Sequence, residues 1–205
     1  MTYNTLSYYD KNAMHLSDRY ESANVDHLHS LLLDIFPNRS HLLEIGCGSG
    51  RDASFMVKNK FDILATDGSK EMIETAKQCH PEISNSLCLM QIPEDLSFEP
   101  SSFDGVYSIA TLMHLQKNEI ESTIYKISTI IKKGANFLFS VSIQRDDIDN
   151  QGKDKMGRHF TTMPESEWIS YCEKYGMRFK YSKITGDGLN RDGIVWLTCV
   201  VKKEE

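Results

Sequence analysis

The run His41-Leu42-Leu43-Glu44-Ile45-Gly46-Cys47-Gly48-Ser49-Gly50 decides the fold of this 205-residue chain. Its first half is apolar, as in a short buried strand, and its second half alternates glycine with other residues. A helical pattern follows at once in Ala53, Met56 and Val57. Strand, glycine turn and helix in that order form the context in which a glycine motif marks a ligand site. Glycine lets a ligand lie against the main chain, and the helix beginning near Gly50 points its free N–H groups at the same place.

The spacing of the glycines separates two kinds of ligand. The dinucleotide fingerprint is G-x-G-x-x-G, whereas here the third glycine comes one residue early and an acid precedes the first glycine by two. This E-x-G-x-G-x-G pattern resembles the first motif of class I S-adenosylmethionine (SAM) dependent methyltransferases of the small-molecule type (methyltransferase domain 11/25-like). The resemblance implies that the backbone of Gly46, Gly48 and Gly50 approaches the amino-acid and ribose parts of SAM, and that Glu44 faces its ammonium through water or the turn. The alternative is a glycine-rich turn without a ligand.

Composition limits the possible partners. The chain has 23 Lys and Arg against 29 Asp and Glu, a formal net charge of -6, so it does not generate the general attraction for phosphates that drives nucleic-acid binding. No apolar run reaches the roughly 20 residues that a membrane-spanning helix needs. We therefore expect neither a nucleic-acid nor a membrane partner.

The cysteines indicate a reducing environment. The five cysteines are scattered and odd in number, and none forms a C-x-x-C pair, which favours reduced thiols over a disulfide framework or a zinc site. The first residues also lack the basic and apolar regions of a signal peptide. The sequence thus predicts a cytoplasmic protein without a metal.

The region before the motif, residues 1–40, is predicted to be a helical cap. Ser17 or Asp18 is expected to cap a helix that runs to about Ile35. In methyltransferases similar to this chain, such a segment folds over the SAM pocket. The resemblance therefore implies contacts with the cofactor or the substrate, although surface residues of a docking helix would show the same pattern. The candidate contacts with the cofactor carboxylate or the substrate are Tyr8, Tyr9, Arg19 and Tyr20. Among them, Tyr20 is assigned to the cofactor, and Tyr8 and Tyr9 are assigned to the substrate.

A second strand is predicted over 61–67. It ends in Asp67, about twenty residues past the glycines, the offset at which a carboxylate accepts hydrogen bonds from ribose hydroxyls. Capping of the next helix is the alternative role for this acid, but Ser69 is the better N-cap. The resemblance adds Gly68 and Ser69 to the cofactor site, and places Met72, in a helix over 70–79, near the adenosine.

The third strand, over 86–92, leads into a stretch that resembles the family's D-A-E-D-L-P-F. Ile92 occupies the place of the acid that reads the adenine amino group. This departure leaves the adenine contact to backbone groups near Pro93 or to Glu94, with Asp95 orienting the loop.

A fourth strand is predicted over 103–110. The resemblance implies that Ile109 and Ala110, at its carboxyl end, line the methionine part of SAM. His114 then faces the substrate side, where a histidine can accept a proton from an attacking hydroxyl or amine. A structural histidine bonded to backbone is the alternative.

The rest of the chain alternates helices and strands. We predict a helix over 117–132, a strand over 135–143, a helix after a capping box at Thr162–Glu165, and two final strands over 178–184 and 193–201 joined by a turn. Between them, the polar stretch 144–163 is a candidate substrate lid, because loops this long in compact domains are usually functional or disordered. Arg145, Arg158 and His159 are its candidate contacts with an acidic or polar substrate; otherwise it is a solvated loop.

Together these features predict a single α/β domain over 1–205, a Rossmann-like three-layer sandwich with its core at 41–201. By resemblance, its mostly parallel seven-stranded sheet has the order 3-2-1-4-5-7-6 with one antiparallel strand. The predicted function is methyl transfer from SAM to a small molecule by direct in-line displacement, leaving S-adenosylhomocysteine, in a monomer or homodimer. Three alternatives stay open: a methyltransferase acting on RNA or protein, a non-catalytic SAM-binding module, and a nicotinamide-dependent oxidoreductase, which the glycine spacing disfavours.

Overall fold

The computed structural model describes residues 1–188 and 191–204. Its strands form one seven-stranded sheet in the order β3-β2-β1-β4-β5-β7-β6. The strands are β1 (His41–Ile45), β2 (Asp62–Asp67), β3 (Leu87–Leu89), β4 (Phe103–Ile109), β5 (Ile131–Arg145), β6 (Met177–Gly186) and β7 (Ile194–Lys203). β7 pairs antiparallel with both of its neighbours, and the other pairs are parallel. The predicted fold class and strand order are confirmed.

Helices cover both faces of the sheet. They are α1 (Tyr3–Glu21), α2 (Asp26–Ile35), α3 (Arg51–Lys58), α4 (Lys70–Cys79), α5 (Lys117–Ile130) and α6 (Glu165–Lys174). Neighbouring residues of β1 point to opposite faces, so Leu42 packs in the core with α2 and α3, and Leu43 packs in the core with α5 and α6. The result is the three-layer sandwich that the sequence predicts. None of the helices in the described part of the chain has the length and apolar character needed to span a membrane.

The predicted N-terminal helix is wrong in its bounds. The chain forms two helices in place of one, and Ser17 is a buried residue inside α1, not a cap. The N-cap of α1 is Thr2, whose side chain accepts a hydrogen bond from the Thr5 N–H. The break between Glu21 and Asp26 lets α1 lie across the sheet edge while α2 packs against the sheet.

Three further boundaries differ from prediction. β3 covers only Leu87–Leu89 of the predicted 86–92. β5 begins directly after α5, at Ile131, and extends to Arg145. The N-cap of α6 is Pro164, and no side chain caps that helix, so the predicted capping box at Thr162 does not form. In the predicted turn between the last two strands, Leu189 and Asn190 lie outside the described residues.

The segment predicted as a lid, 144–163, packs against the rest of the chain at its end, while most of 146–156 is exposed. The Thr161 N–H donates to the Met113 carbonyl over 2.7 Å, and the Phe160 N–H donates to the Gly152 carbonyl over 2.7 Å. His159, Phe160 and Thr161 are buried. The segment after β5 therefore forms one wall of the space beneath α1.

Candidate active site

A cavity of about 540 Å³ lies at the carboxyl ends of β1, β2 and β4, beneath α1. Open α/β sheets bind ligands at this edge, where the strand order reverses, and the volume falls in the usual range for small-molecule sites. The site residues predicted from the sequence that line it are Tyr9, Tyr20, Gly46, Gly48, Asp67, Gly68, Met72, Ile109, Ala110, His114, Arg145 and Arg158. Seven do not line it: Tyr8, Glu44, Gly50, Ser69, Pro93, Glu94 and His159.

Gly46 and Gly48, in the turn after β1, have different structural roles. Gly46 and Gly48 both have positive φ, at 80° and 57°. A Cβ on Gly46 would lie 1.9 Å from the Oγ1 of Thr111, so this glycine permits close packing of the turn against the residue after β4. A Cβ on Gly48 would lie 3.5 Å from the Tyr20 ring, on the cavity side. Gly48 thus lies against Tyr20 of α1, and its positive φ, rather than a lack of space, favours glycine here.

Asp67 joins the glycine turn to the end of β2. One oxygen of its carboxylate accepts from the Gly48 N–H over 3.0 Å, and the other accepts from the Ser69 N–H over 2.9 Å. Burial raises the pKa of this carboxyl, although these N–H donors act in the opposite direction. Ser69 caps α4 by accepting from the Met72 N–H, as predicted. Asp67 therefore faces the cavity in a fixed orientation.

Glu44 lies beneath the turn rather than facing the cavity. Its carboxylate accepts a hydrogen bond from the Tyr107 hydroxyl over 3.1 Å, and its pKa is raised by burial and by the nearby Asp52. Asp52 is the acid that lines the cavity beside the turn. Arg51 contacts both of its oxygens, and His29 binds one of them over 2.8 Å. The acid predicted to face the cofactor ammonium is thus a buried part of the strand.

The segment after β3 supplies Met90, Gln91 and Ile92 to the cavity. Glu94 is exposed and points elsewhere, while its carbonyl accepts from Lys126. The structure does not bring this predicted adenine contact to the site. Asp95 accepts from the Gln91 N–H over 2.8 Å and so orients the loop.

α1 places three polar side chains along the roof of the cavity: Tyr9, Arg19 and Tyr20. Tyr8 instead packs against Arg158, whose guanidinium carbon lies 4.7 Å from the centre of its ring. The Nε of Arg19 is buried and has no hydrogen-bond partner. An unsatisfied buried donor is unfavourable, so this group is a candidate to bind an anionic part of a ligand.

His114 is fixed from both sides. Its Nδ1 lies 2.7 Å from the His159 carbonyl, which can only accept, so Nδ1 carries the proton and Nε2 accepts from the Tyr9 hydroxyl over 2.8 Å. Burial lowers the pKa of His114 from 6.5 to about 3. The imidazole is therefore neutral near pH 7. The side chain of His159 is bonded to Thr161 and turned away from the cavity.

Other lining residues escaped prediction because the sequence places them far from the motif. Thr111 follows β4, Phe160 lies in the segment after β5, and Trp196 is on β7. Arg191 reaches the cavity from the β6–β7 turn and pairs with Asp187 over 2.6 Å. None of them belongs to a local motif. Among these residues, only Phe160 could have been predicted as a site residue from the sequence, because it is an aromatic residue within the polar stretch 144–163.

Residues 43–139 match a family described as "Methyltransferase domain". Phosphoethanolamine N-methyltransferase 1 of Triticum aestivum is 26% identical over 179 residues, which cover 80% of this chain and 36% of that protein. Malonyl-[acyl-carrier protein] O-methyltransferase of Priestia megaterium is 35% identical over 115 residues, or 55% of this chain and 40% of that protein. The chain thus spans well under half of the length of either relative.

A solved structure shares the whole architecture. The 1,6-didemethyltoxoflavin-N1-methyltransferase of Burkholderia thailandensis, with bound 1,6-didemethyltoxoflavin and S-adenosylhomocysteine, superposes with a TM-score of 0.74. The match covers 98% of this chain and 88% of that chain at 16% identity. At this identity the likeness shows a common fold.

Proposed function

We propose that this chain, whose residues 43–139 match a methyltransferase domain, is a class I SAM-dependent methyltransferase that moves the methyl group of SAM to a small-molecule acceptor by direct in-line displacement. The observation that carries this proposal is the convergence on one cavity of a glycine turn, a fixed carboxylate and an unpartnered arginine nitrogen: Gly48, Asp67 and Arg19.

The residues present fit SAM. The side of Gly48 that faces the cavity has no side chain to obstruct a ligand, and Asp67 is held beside it with lone pairs to spare for ribose hydroxyls. The buried Nε of Arg19 suits a carboxylate. When bound, SAM supplies a methyl group on a sulfonium that leaves readily. The chain itself then needs to orient the acceptor and exclude water.

Tyr9 is the group that we propose meets the acceptor, with His114 behind it. A base whose pKa is about 3 holds a proton poorly at neutral pH. However, its unprotonated Nε2 accepts the hydrogen bond from the Tyr9 hydroxyl and so fixes the direction of the Tyr9 O–H bond. The Tyr9 oxygen also neighbours Arg158 and Tyr20, and an attacking hydroxyl or amine would donate to it in place of one of these contacts. His114 is thus a positioning residue, which refines its predicted role as a base.

The partly covered cavity, of about 540 Å³, favours a small acceptor. α1 covers the glycine turn, and the packed segment after β5 walls the side beyond His114. This segment is the proposed substrate lid. The names of the wheat and Burkholderia proteins also describe acceptors of low molecular weight.

Labelled SAM tests the nature of the acceptor. The protein would be incubated with methyl-labelled SAM and separate fractions of small metabolites, RNA and protein. We expect label in the small-metabolite fraction, and its loss in an Asp67→Ala variant. Label in RNA or protein alone would contradict the proposal, and SAM binding without any transfer would favour a non-catalytic module.

A further inference from the structure

We propose that the acceptor carries an anionic group, a carboxylate or a phosphate, and that Arg145 and Arg158 bind it beside the ring of Phe160. This inference rests on the proposed function and names the substrate class of the same site. All three side chains line the cavity.

Phe160 brings the two arginines together. The guanidinium carbon of Arg145 lies 3.8 Å from the centre of the Phe160 ring, and that of Arg158 lies 5.2 Å from it. The Arg145 side chain is only 2% exposed and that of Arg158 is 13% exposed. Burying two arginines against one aromatic ring costs desolvation free energy. This cost favours a role for the two side chains in binding a ligand.

Each arginine forms an ion pair with one aspartate. Arg145 donates from Nε and Nη2 to the two oxygens of Asp147, over 2.9 and 2.7 Å. Arg158 contacts Asp154 through Nε over 2.8 Å and through Nη2 over 2.6 Å. Neither aspartate lines the cavity. These pairs fix one edge of each guanidinium, and each aspartate competes with a ligand for that charge. Arg158 also lies within hydrogen-bonding reach of the Tyr9 hydroxyl.

The other side chains that line the cavity also favour a negatively charged ligand. Among the described residues, the carboxylates that line it already accept hydrogen bonds from N–H groups: Asp52, Asp67 and Asp187. The cationic side chains that line it, besides the two arginines, are Arg19, Arg51, Lys183 and Arg191; of these, Arg51 and Arg191 form ion pairs with Asp52 and Asp187. The surface therefore offers more cationic donors than carboxylates. An acceptor with a carboxylate or phosphate matches it, since arginine binds both groups with paired hydrogen bonds.

The position of the arginines also limits the length of the acceptor. The His114 ring lies 4.5 Å from the same Phe160 ring, and the Tyr9 hydroxyl lies 2.8 Å from His114. The charges of Arg158 and Arg145 are felt at His114, where they add to burial in lowering its pKa. The anion site and the proposed transfer site are therefore neighbours, and the anion and the methylated atom are only a few bonds apart.

Calorimetry with simple probes tests the inference. The protein is first saturated with S-adenosylhomocysteine, and that titration reports on the proposed function separately. Benzoate, phenyl phosphate and the neutral benzamide are then titrated into the complex. We expect the anions to bind at least about tenfold more tightly than benzamide, as a charged hydrogen bond implies. The stronger of the two anions identifies the carboxylate or the phosphate as the preferred group.

Two variants with opposite expected effects separate binding from misfolding. Arg158→Gln should weaken anion binding about tenfold or more and leave benzamide unchanged. Asp147→Asn should strengthen it several-fold, because it removes the competing carboxylate from Arg145; the Asp147 side chain is 41% exposed and tolerates the change. Arg178→Gln, at an exposed position on β6 paired with Glu204, is the matched control.

The outcomes are distinct. Normal S-adenosylhomocysteine binding with equal affinity for the anions and benzamide would overturn the anionic acceptor and leave the proposed function standing. Failure to bind S-adenosylhomocysteine would overturn both. An Asp147→Asn variant that is folded but binds the anions more weakly would show that the arginine pairs are structural.

Discussion

The carboxylate of Asp67, the last residue of β2, accepts a hydrogen bond from the Gly48 N–H in the turn after β1 over 3.0 Å. The two residues are the acid and the central glycine that the sequence motif sets nineteen positions apart. The bond closes one edge of the cavity and fixes the direction in which the carboxylate meets a ligand. A loss of Asp67 therefore affects both the ligand contact and the shape of the turn.

We expect Asp67→Ala to weaken the binding of S-adenosylhomocysteine by roughly tenfold or more, since it removes hydrogen bonds to a charged acceptor. Calorimetric titration of the folded variant measures this. Asp62→Ala is the control, because Asp62 begins the same strand but is exposed and paired with His41. Unchanged affinity in a folded Asp67→Ala variant would refute the ribose assignment.

Gly46→Ala should destabilise the protein more than Gly157→Ala. Both glycines have φ near 80°, at 80° and 81°, so both variants incur the cost of a left-handed residue, about 1–2 kcal/mol. Only at Gly46 would the added Cβ meet another group, the Thr111 side chain at 1.9 Å, whereas nothing lies within 4 Å at Gly157. Urea denaturation of the two variants gives the difference in the free energy of unfolding. Equal losses would show that the Thr111 contact relaxes freely.

His114 should remain neutral across the working pH range. Its pKa is about 3 in the folded protein against an ordinary value of 6.5, so the unfolded chain binds the extra proton between these values. The contribution of this group to stability is complete above pH 6.5 and is lost as the pH falls towards 3. NMR titration of the imidazole, compared with a His114→Gln variant, checks this. A His114 signal that titrates near pH 6.5 would contradict the buried, doubly bonded geometry.

Tyr9→Phe should reduce turnover more than cofactor affinity. The substitution keeps the ring but removes the hydroxyl that donates to His114 and that we propose receives the acceptor. We expect a loss of tenfold or more in kcat/KM once an acceptor is identified, with S-adenosylhomocysteine affinity changed less than threefold. Tyr3→Phe, at a position 83% exposed, is the matched control. Equal losses of turnover and cofactor affinity would place Tyr9 in the cofactor site instead.

The parts of the fold that depend on local patterns were predictable. The strand and glycine turn at 41–50, the Ser69 cap of α4 and the helix predicted over 117–132, which is α5, all form as expected. Each depends on residues within a few positions of one another. The strand order followed from the family resemblance and is confirmed.

The first helix was missed although a signal was present. Apolar and aromatic residues recur at helical spacing along α1: Leu6, Tyr9, Ala13, Leu16 and Tyr20. Polar residues between them hide this stripe. The residues that α1 contacts come from elsewhere in the chain. For example, the Asp10 carboxylate accepts a hydrogen bond from the Ser69 hydroxyl.

The cavity wall could not be predicted from local pattern. Thr111, Phe160 and Trp196 reach one site only because β4, β5 and β7 are neighbours in the sheet. Glu94 is the opposite case. The resemblance predicted that it contacts the adenine, but in the structure its side chain is exposed. Side-chain direction in a loop depends on tertiary contacts that the sequence pattern does not record.

The most direct test of the central claim is calorimetric titration of the purified protein with S-adenosylhomocysteine, with NAD as the control. The glycine turn, Asp67 and Arg19 predict micromolar binding of S-adenosylhomocysteine, on the order of -8 kcal/mol, and no binding of NAD. Absence of binding, or a preference for NAD, would contradict the assignment of the cavity to SAM.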